Sequence, residues 1–172
     1  MIEYVYGDLF DVEGDFIMEQ KNCFHVHGGL SAEMARRFPK AAAADLATEW
    51  GNENKLGTYE IVDCGDVSVI NAYGQYSIGS LFLKHDTDYE AWEEILENLS
   101  EDFKFAGYEG AVIKVPAFIG CGIGGGDFSV MWDLFYKYFE DEPTKIRFCV
   151  REQDEQQFTD FLNRKYKINN GH

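Results

Sequence analysis

The stretch that most constrains this chain runs Ile113-Lys114-Val115-Pro116-Ala117-Phe118-Ile119-Gly120-Cys121-Gly122-Ile123-Gly124-Gly125-Gly126-Asp127-Phe128. An apolar run ends in five glycines within seven residues, and a segment with apolar residues at helical spacing follows at once. Glycine admits positive φ and carries no Cβ, so such a backbone can come close to a bound group. The helix that follows leaves its first N–H groups without intrahelical acceptors, which suits an anion. The pattern predicts a phosphate-cradling loop at the carboxyl end of a buried strand. A tight turn would explain one or two of the glycines and leave the rest without a reason.

Charge decides how such a loop would work. Fifteen basic residues face 31 acidic ones, a formal charge of −16. Nucleic acid and anionic membrane surfaces need clustered Lys and Arg, so neither is an expected partner. Any phosphate must be held mostly by backbone N–H groups. An apolar fraction of 45% over 172 residues supplies core enough for a single domain spanning residues 1–172. Cys23, Cys64, Cys121 and Cys149 form no C-x-x-C pair and no zinc spacing with the histidines, so no metal is expected. Reduced cysteines, no signal-like segment at Met1-Ile2-Glu3-Tyr4 and no run long enough to span a bilayer lead us to expect a soluble, cytoplasmic protein.

Strand and helix patterns alternate along the chain. Strands are expected at Ile2–Tyr6, Phe16–Gln20, Tyr59–Asp63, Val67–Ala72, Ala111–Val115 and Lys145–Val150, the third and fourth forming a hairpin around Cys64-Gly65-Asp66. Leu30, Met34 and Phe38 recur every fourth residue and mark a helix stopped by Pro39, with Arg36 and Arg37 at its C-terminus. Pro39 can open the next helix, expected over Lys40–Trp50. Asp88–Ala106 is amphipathic, with Trp92, Ile95, Leu99 and Phe103 as its stripe and Gly107 as its stop. Phe128, Met131, Trp132, Phe135 and Phe139 line a further helix, and Phe158, Phe161 and Leu162 a last one over Glu152–Lys165. Gly74–Lys84 is expected to be a mobile loop and Asn169–His172 a frayed end. The alternation predicts an α/β, three-layer α/β/α sandwich with a mixed central sheet and helices on both faces. Two glycine segments leave strands and enter helices, and ligands in such folds bind at that edge.

Several residues near those segments could carry chemistry. Gly28-Gly29 before Leu30 can supply a second set of N–H donors, or merely enter a helix capped by Ser31. His25 and His27 alternate on an extended segment and are expected on opposite sides, either as ordinary polar groups or, for one of them, as a catalyst. Asp8 follows Gly7 as a turn aspartate or as an acceptor for an exocyclic amine. Asp127 fits a helix N-cap, a general base, or both. Gly120-Cys121-Gly122-Ile123-Gly124-Gly125 also satisfies G-x-G-x-x-G, which keeps an NAD-binding protein open. That fingerprint belongs on a first βα turn, and here it begins at residue 120 of 172.

Taken in order, these segments resemble the macro domain family. The resemblance is carried by Gly7-Asp8-Leu9-Phe10, Asn22-Cys23, Arg36-Arg37-Phe38-Pro39, Lys55-Leu56-Gly57-Thr58 and Val69-Ile70-Asn71-Ala72-Tyr73-Gly74-Gln75-Tyr76, and most of all by Ile119 through Phe128. It covers nearly the whole chain and is nearest to small stand-alone bacterial and phage-type proteins grouped with ADP-ribose-1″-phosphate phosphatases. It implies that ADP-ribose or a derivative is bound, free or on an ADP-ribosylated macromolecule, without metal or cofactor. Asp8 would accept from the adenine amine beside Leu9 and Phe10, and Asn22 would contact the distal ribose. Gly28, Gly29, Leu30, Gly120, Cys121, Gly122, Ile123, Gly124, Gly125, Gly126 and Phe128 would surround the diphosphate and proximal ribose. Asp127, with His25 or His27, would activate water for hydrolysis of an ADP-ribose derivative. The alternative is a module that binds ADP-ribose without turnover.

Overall fold

Alternation along Phe16-Ile17-Met18-Glu19-Gln20 settles how the sheet is covered. Phe16 and Met18 join one core cluster and Ile17 another, so this strand is buried on both faces. The computed structural model describes residues 1–79 and 86–167. Its strands are β1 (Ile2–Tyr6), β2 (Phe16–Gln20), β3 (Tyr59–Asp63), β4 (Ser68–Ala72), β5 (Val112–Pro116) and β6 (Lys145–Val150). The helices are α1 (Leu30–Arg37), α2 (Pro39–Leu46), α3 (Tyr89–Ala106), α4 (Phe128–Phe139) and α5 (Glu155–Lys165). The strands form one six-stranded sheet in the order β1-β6-β5-β2-β4-β3. All neighbours are parallel except β3 and β4, which form the expected antiparallel hairpin.

The larger core lies between one face of this mixed sheet and helices α3, α4 and α5. Trp92, Ile95, Leu99 and Phe103 of α3 meet Met131, Trp132, Phe135 and Phe139 of α4 over Ile113, Val115 and Phe148. Phe158 and Phe161 bring α5 into the same cluster. Met34 of α1 and Ala41 of α2 cover the other face over Ile17, Val69 and Cys149, completing the three-layer α/β/α sandwich. Asp88 caps α3 by accepting from Ala91 N–H at 3.0 Å, and Gly107 ends it in the left-handed region at φ 71°.

Two helix limits differ from expectation. α2 begins at Pro39 but ends at Leu46, short of Trp50, because Thr48 Oγ1 donates to the Asp45 carbonyl at 2.6 Å and the chain turns away. Glu152–Asp154 is a separate 3₁₀ turn ahead of α5. Residues 80–84 of the expected Gly74–Lys84 loop, and the tail from 169 to 172, lie outside the described residues. No described helix is long and apolar enough to cross a membrane.

Candidate functional site

Five parallel strands bring their carboxyl ends to one edge of the sheet, where a cavity of about 730 Å³ opens. Strand order lays out its walls. Asp8, Leu9 and Phe10 follow β1, and Arg151, Asp154 and Gln157 follow β6. The glycine segment from Gly120 to Gly124 follows β5 and holds the middle. Asn22, Gly28, Gly29, Leu30 and Ser31 follow β2, and Gln75 and Ile78 follow β4. Strands stand ~4.8 Å apart, so the span from β1 to β4 is about 19 Å.

The long glycine segment divides into two parts with different tasks. Gly126 N–H donates to the Gly120 carbonyl at 2.9 Å and Gly125 N–H to the Gly122 carbonyl at 3.0 Å, which curls the loop on itself. Asp127 N–H donates to Tyr89 OH at 2.8 Å. The N–H groups of Gly120, Gly122, Ile123 and Gly124 have no acceptor among the described residues, and all four residues line the cavity. Gly125 and Gly126, expected in the ligand cradle, are instead spent on closing the loop. A Cβ on Gly126 would stand 2.8 Å from the Gly120 carbonyl oxygen, so the closure requires glycine there.

Gln20, at the end of β2, ties this loop to its neighbours. Its Oε1 accepts from Trp92 Nε1–H at 2.6 Å, and its Nε2 donates to Gln75 Oε1 at 2.6 Å and Thr87 Oγ1 at 3.1 Å. Thr87 Oγ1 donates in turn to the Gly120 carbonyl at 2.6 Å, and Thr87 N–H donates to the Gly124 carbonyl at 3.1 Å. One amide thus joins β2, α3, the segment after β4 and the glycine loop.

Asn22 organises the segment after β2. Its Oδ1 accepts from Phe24 N–H at 2.9 Å and Val26 N–H at 3.3 Å, while Nδ2 donates to the Val26 carbonyl at 2.8 Å. Asn22 is buried, lines the cavity and carries a second amide hydrogen beyond that bond. The curl places His25 at φ 59°, unusual for a side chain larger than glycine. Both histidines then turn toward the end of α2, not to opposite sides. His25 Nε2 lies 3.1 Å from Thr48 Oγ1, and His27 Nε2 lies 3.1 Å from Asp45 Oδ2. Asp45 is 1% exposed and also accepts from Tyr73 OH at 2.8 Å, so His27 is tied to a buried pair. Gly29, at φ 55°, is the N-cap of α1, and Ser31 accepts from Lys21 Nζ at 3.2 Å in place of capping.

The three expected catalysts are therefore not gathered at the cavity. Neither histidine lines it, and Asp127 caps α4 by accepting from Ser129 N–H at 2.8 Å. Phe128 is 5% exposed and packs on Phe118, Phe148 and Phe161, which makes it core. Asp8 does line the cavity, with Oδ1 accepting from Phe10 N–H at 2.8 Å, so it is a turn aspartate placed at the β1 end. Burial pushes the Cys121 thiol up to about 12 and the Cys149 thiol up to about 11, so neither wall cysteine is a thiolate near neutral pH.

Glu19 and Gln20 are wall residues that sequence patterning passed over. A run of polar residues, Glu19-Gln20-Lys21-Asn22, closing a buried strand was the available signal. Glu19 Oε1 pairs with Lys21 Nζ at 2.5 Å, both side chains being nearly inaccessible. Glu19 Oε2 is buried and has no hydrogen-bond partner among the described residues. Burial pushes the Glu19 carboxyl above its ordinary value, with the Lys21 ammonium opposing.

No family model matches the chain. An uncharacterized 17.5 kDa protein from the tk-vs intergenic region of Enterobacteria phage T4 is 30% identical, over 87% of this chain and 95% of that protein. The macrodomain of Thermus aquaticus DarG superposes with a TM-score of 0.66 at 18% identity, over 86% of this chain and 97% of that one. Thermosipho africanus DarTG in complex with ADP-ribose gives 0.65 at 20% identity, over 86% of this chain and 41% of that one. The chain belongs to one family with the phage T4 protein, and its fold is that of the macrodomains.

Proposed function

We propose that this chain binds ADP-ribose along the sheet edge, adenine beside Asp8 at the β1 end and the distal ribose beside Asn22 at the β2 end. The observation that carries the reading is the set of N–H groups at Gly120, Gly122, Ile123 and Gly124, without acceptors among the described residues and midway along the cavity. There they meet the diphosphate without any lysine, as a chain of charge −16 requires. A span of about 19 Å suits a ligand with a nucleoside at one end and a sugar at the other. The ADP-ribose complex of the similarly folded Thermosipho protein supports the choice of ligand. The sugar end is the one through which an ADP-ribosylated macromolecule would be held. In the catalytic form of this reading the chain hydrolyses an ADP-ribose derivative, a 1″-phosphomonoester or an ADP-ribosyl adduct.

A second reading, capture of ADP-ribose without turnover, is favoured by one observation. Asp127, His25 and His27 are all engaged away from the cavity. Calorimetric titration with ADP-ribose and NAD⁺ tests the ligand, and chromatography of incubated ADP-ribose derivatives tests turnover. Preference for NAD⁺, or no heat with ADP-ribose, would sink the proposal. Tight binding with no phosphate or ADP-ribose released would leave the capture reading standing.

A further inference from the structure

The walls of the cavity are unequal in charge. Among the described residues Arg151 is the one basic side chain that lines it; it follows β6, donates to Asp154 Oδ2 at 2.8 Å, and offsets part of the charge of Asp154 and Asp8 at that end. The β2 end carries Glu19 and Glu33. The Lys21 ammonium beside that end is already committed, at 2.5 Å to Glu19 Oε1 and 3.2 Å to Ser31 Oγ. Glu19 is 3% exposed and its second oxygen has no partner among the described residues. A buried carboxylate oxygen without a donor is costly, and a ligand that brings an O–H or N–H group relieves that cost. A ligand that brings a dianion adds like-charge repulsion in a poorly solvated place.

We propose that Glu19 is a specificity-determining residue that makes the β2 end of the cavity a receptor for hydrogen-bond donors and excludes a phosphomonoester from it. Resting on the ADP-ribose reading above, this narrows the substrate class. The group carried at the distal sugar is a free hydroxyl or a neutral or cationic N–H or O–H bearing adduct, not a 1″-phosphate. Carboxylate and ammonium remain paired throughout, so Lys21 lends no charge to a phosphate.

The test is calorimetric titration of wild type and Glu19→Gln with ADP-ribose and with ADP-ribose-1″-phosphate. Wild type is expected to bind ADP-ribose about ten-fold or more tightly than the phosphorylated ligand, and Glu19→Gln to reduce that preference to about three-fold or less. The wild-type ratio decides alone if the variant does not fold. Equal or tighter binding of the 1″-phosphate by wild type overturns the proposal while leaving ADP-ribose binding intact. Binding of neither ligand overturns both together.

Discussion

Replacing Gln20 by leucine removes the amide that ties four segments together while keeping nearly the same volume. Trp92 Nε1–H loses its acceptor and Gln75 Oε1 loses its donor, and both residues are buried. Each buried group left unsatisfied costs about 1–3 kcal/mol, so the pair costs about 2–6 kcal/mol. For a chain of this size 1 kcal/mol moves the thermal midpoint by about 2–4 °C, which puts the expected fall at about 4 °C or more. The Gly120 carbonyl keeps Thr87 as its donor, but Thr87 loses the Gln20 amide that holds it. The free N–H groups of Gly122, Ile123 and Gly124 should then lose their fixed orientation, and ADP-ribose affinity should drop with stability. Urea denaturation with matched m-values gives the first quantity and calorimetry the second. A loss below about 1 kcal/mol would refute the accounting of unsatisfied groups. A large loss of stability with unchanged affinity would refute the link between Gln20 and the loop.

Other perturbations separate the parts of the site. Asp127→Ala removes the α4 cap and should cost about 1 kcal/mol in denaturation while leaving ADP-ribose affinity within two-fold, roughly the scatter of a residue that does not touch the ligand. Gly126→Ala puts a Cβ 2.8 Å from the Gly120 carbonyl oxygen, so the loop must open and titration should show binding weakened by about ten-fold or more. Glu19 has a carboxyl raised above its ordinary 4.5 by burial, so the folded state holds this proton more tightly than the unfolded one. Its stabilising share is full below pH 4.5 and falls as pH rises through the raised value. The stability of wild type minus that of Glu19→Gln, followed by urea denaturation from pH 4 upward, should therefore decline with pH; a flat or rising difference would contradict the burial.

Much of the fold was legible because its cause is local. Trp92, Ile95, Leu99 and Phe103 announce α3 by spacing, and Gly107 ends it at positive φ. Pro39 at the first position of α2 was equally plain, whereas the end of that helix depended on a Thr48 side chain bonding backward. Within the site, the glycine segment declared itself but not its division of labour. Whether a given N–H faces a ligand or closes a turn depends on the carbonyl opposite, and no residue type encodes that. His25 and His27 misled for the same reason: alternation holds on an extended strand, and Asn22 curls this one. Glu19 escaped notice because a charged residue inside a buried strand acquires meaning only when its partner, Lys21, is seen together with an Oε2 that has no partner among the described residues.

The order β1-β6-β5-β2-β4 has a consequence for how occupancy is felt. Wall residues come from near positions 8, 22, 75, 120 and 151, so the cavity exists only when strands far apart in sequence are assembled. Unfolding of any one of β1, β6, β5, β2 and β4 displaces wall residues and opens the site. Ligand free energy is therefore delivered to the whole cooperative unit, about 2.7 kcal/mol at a hundred-fold excess over Kd. Amide protons deep in β5 and β2, far from any contact, should slow in exchange as much as those of the loop that touches the ligand.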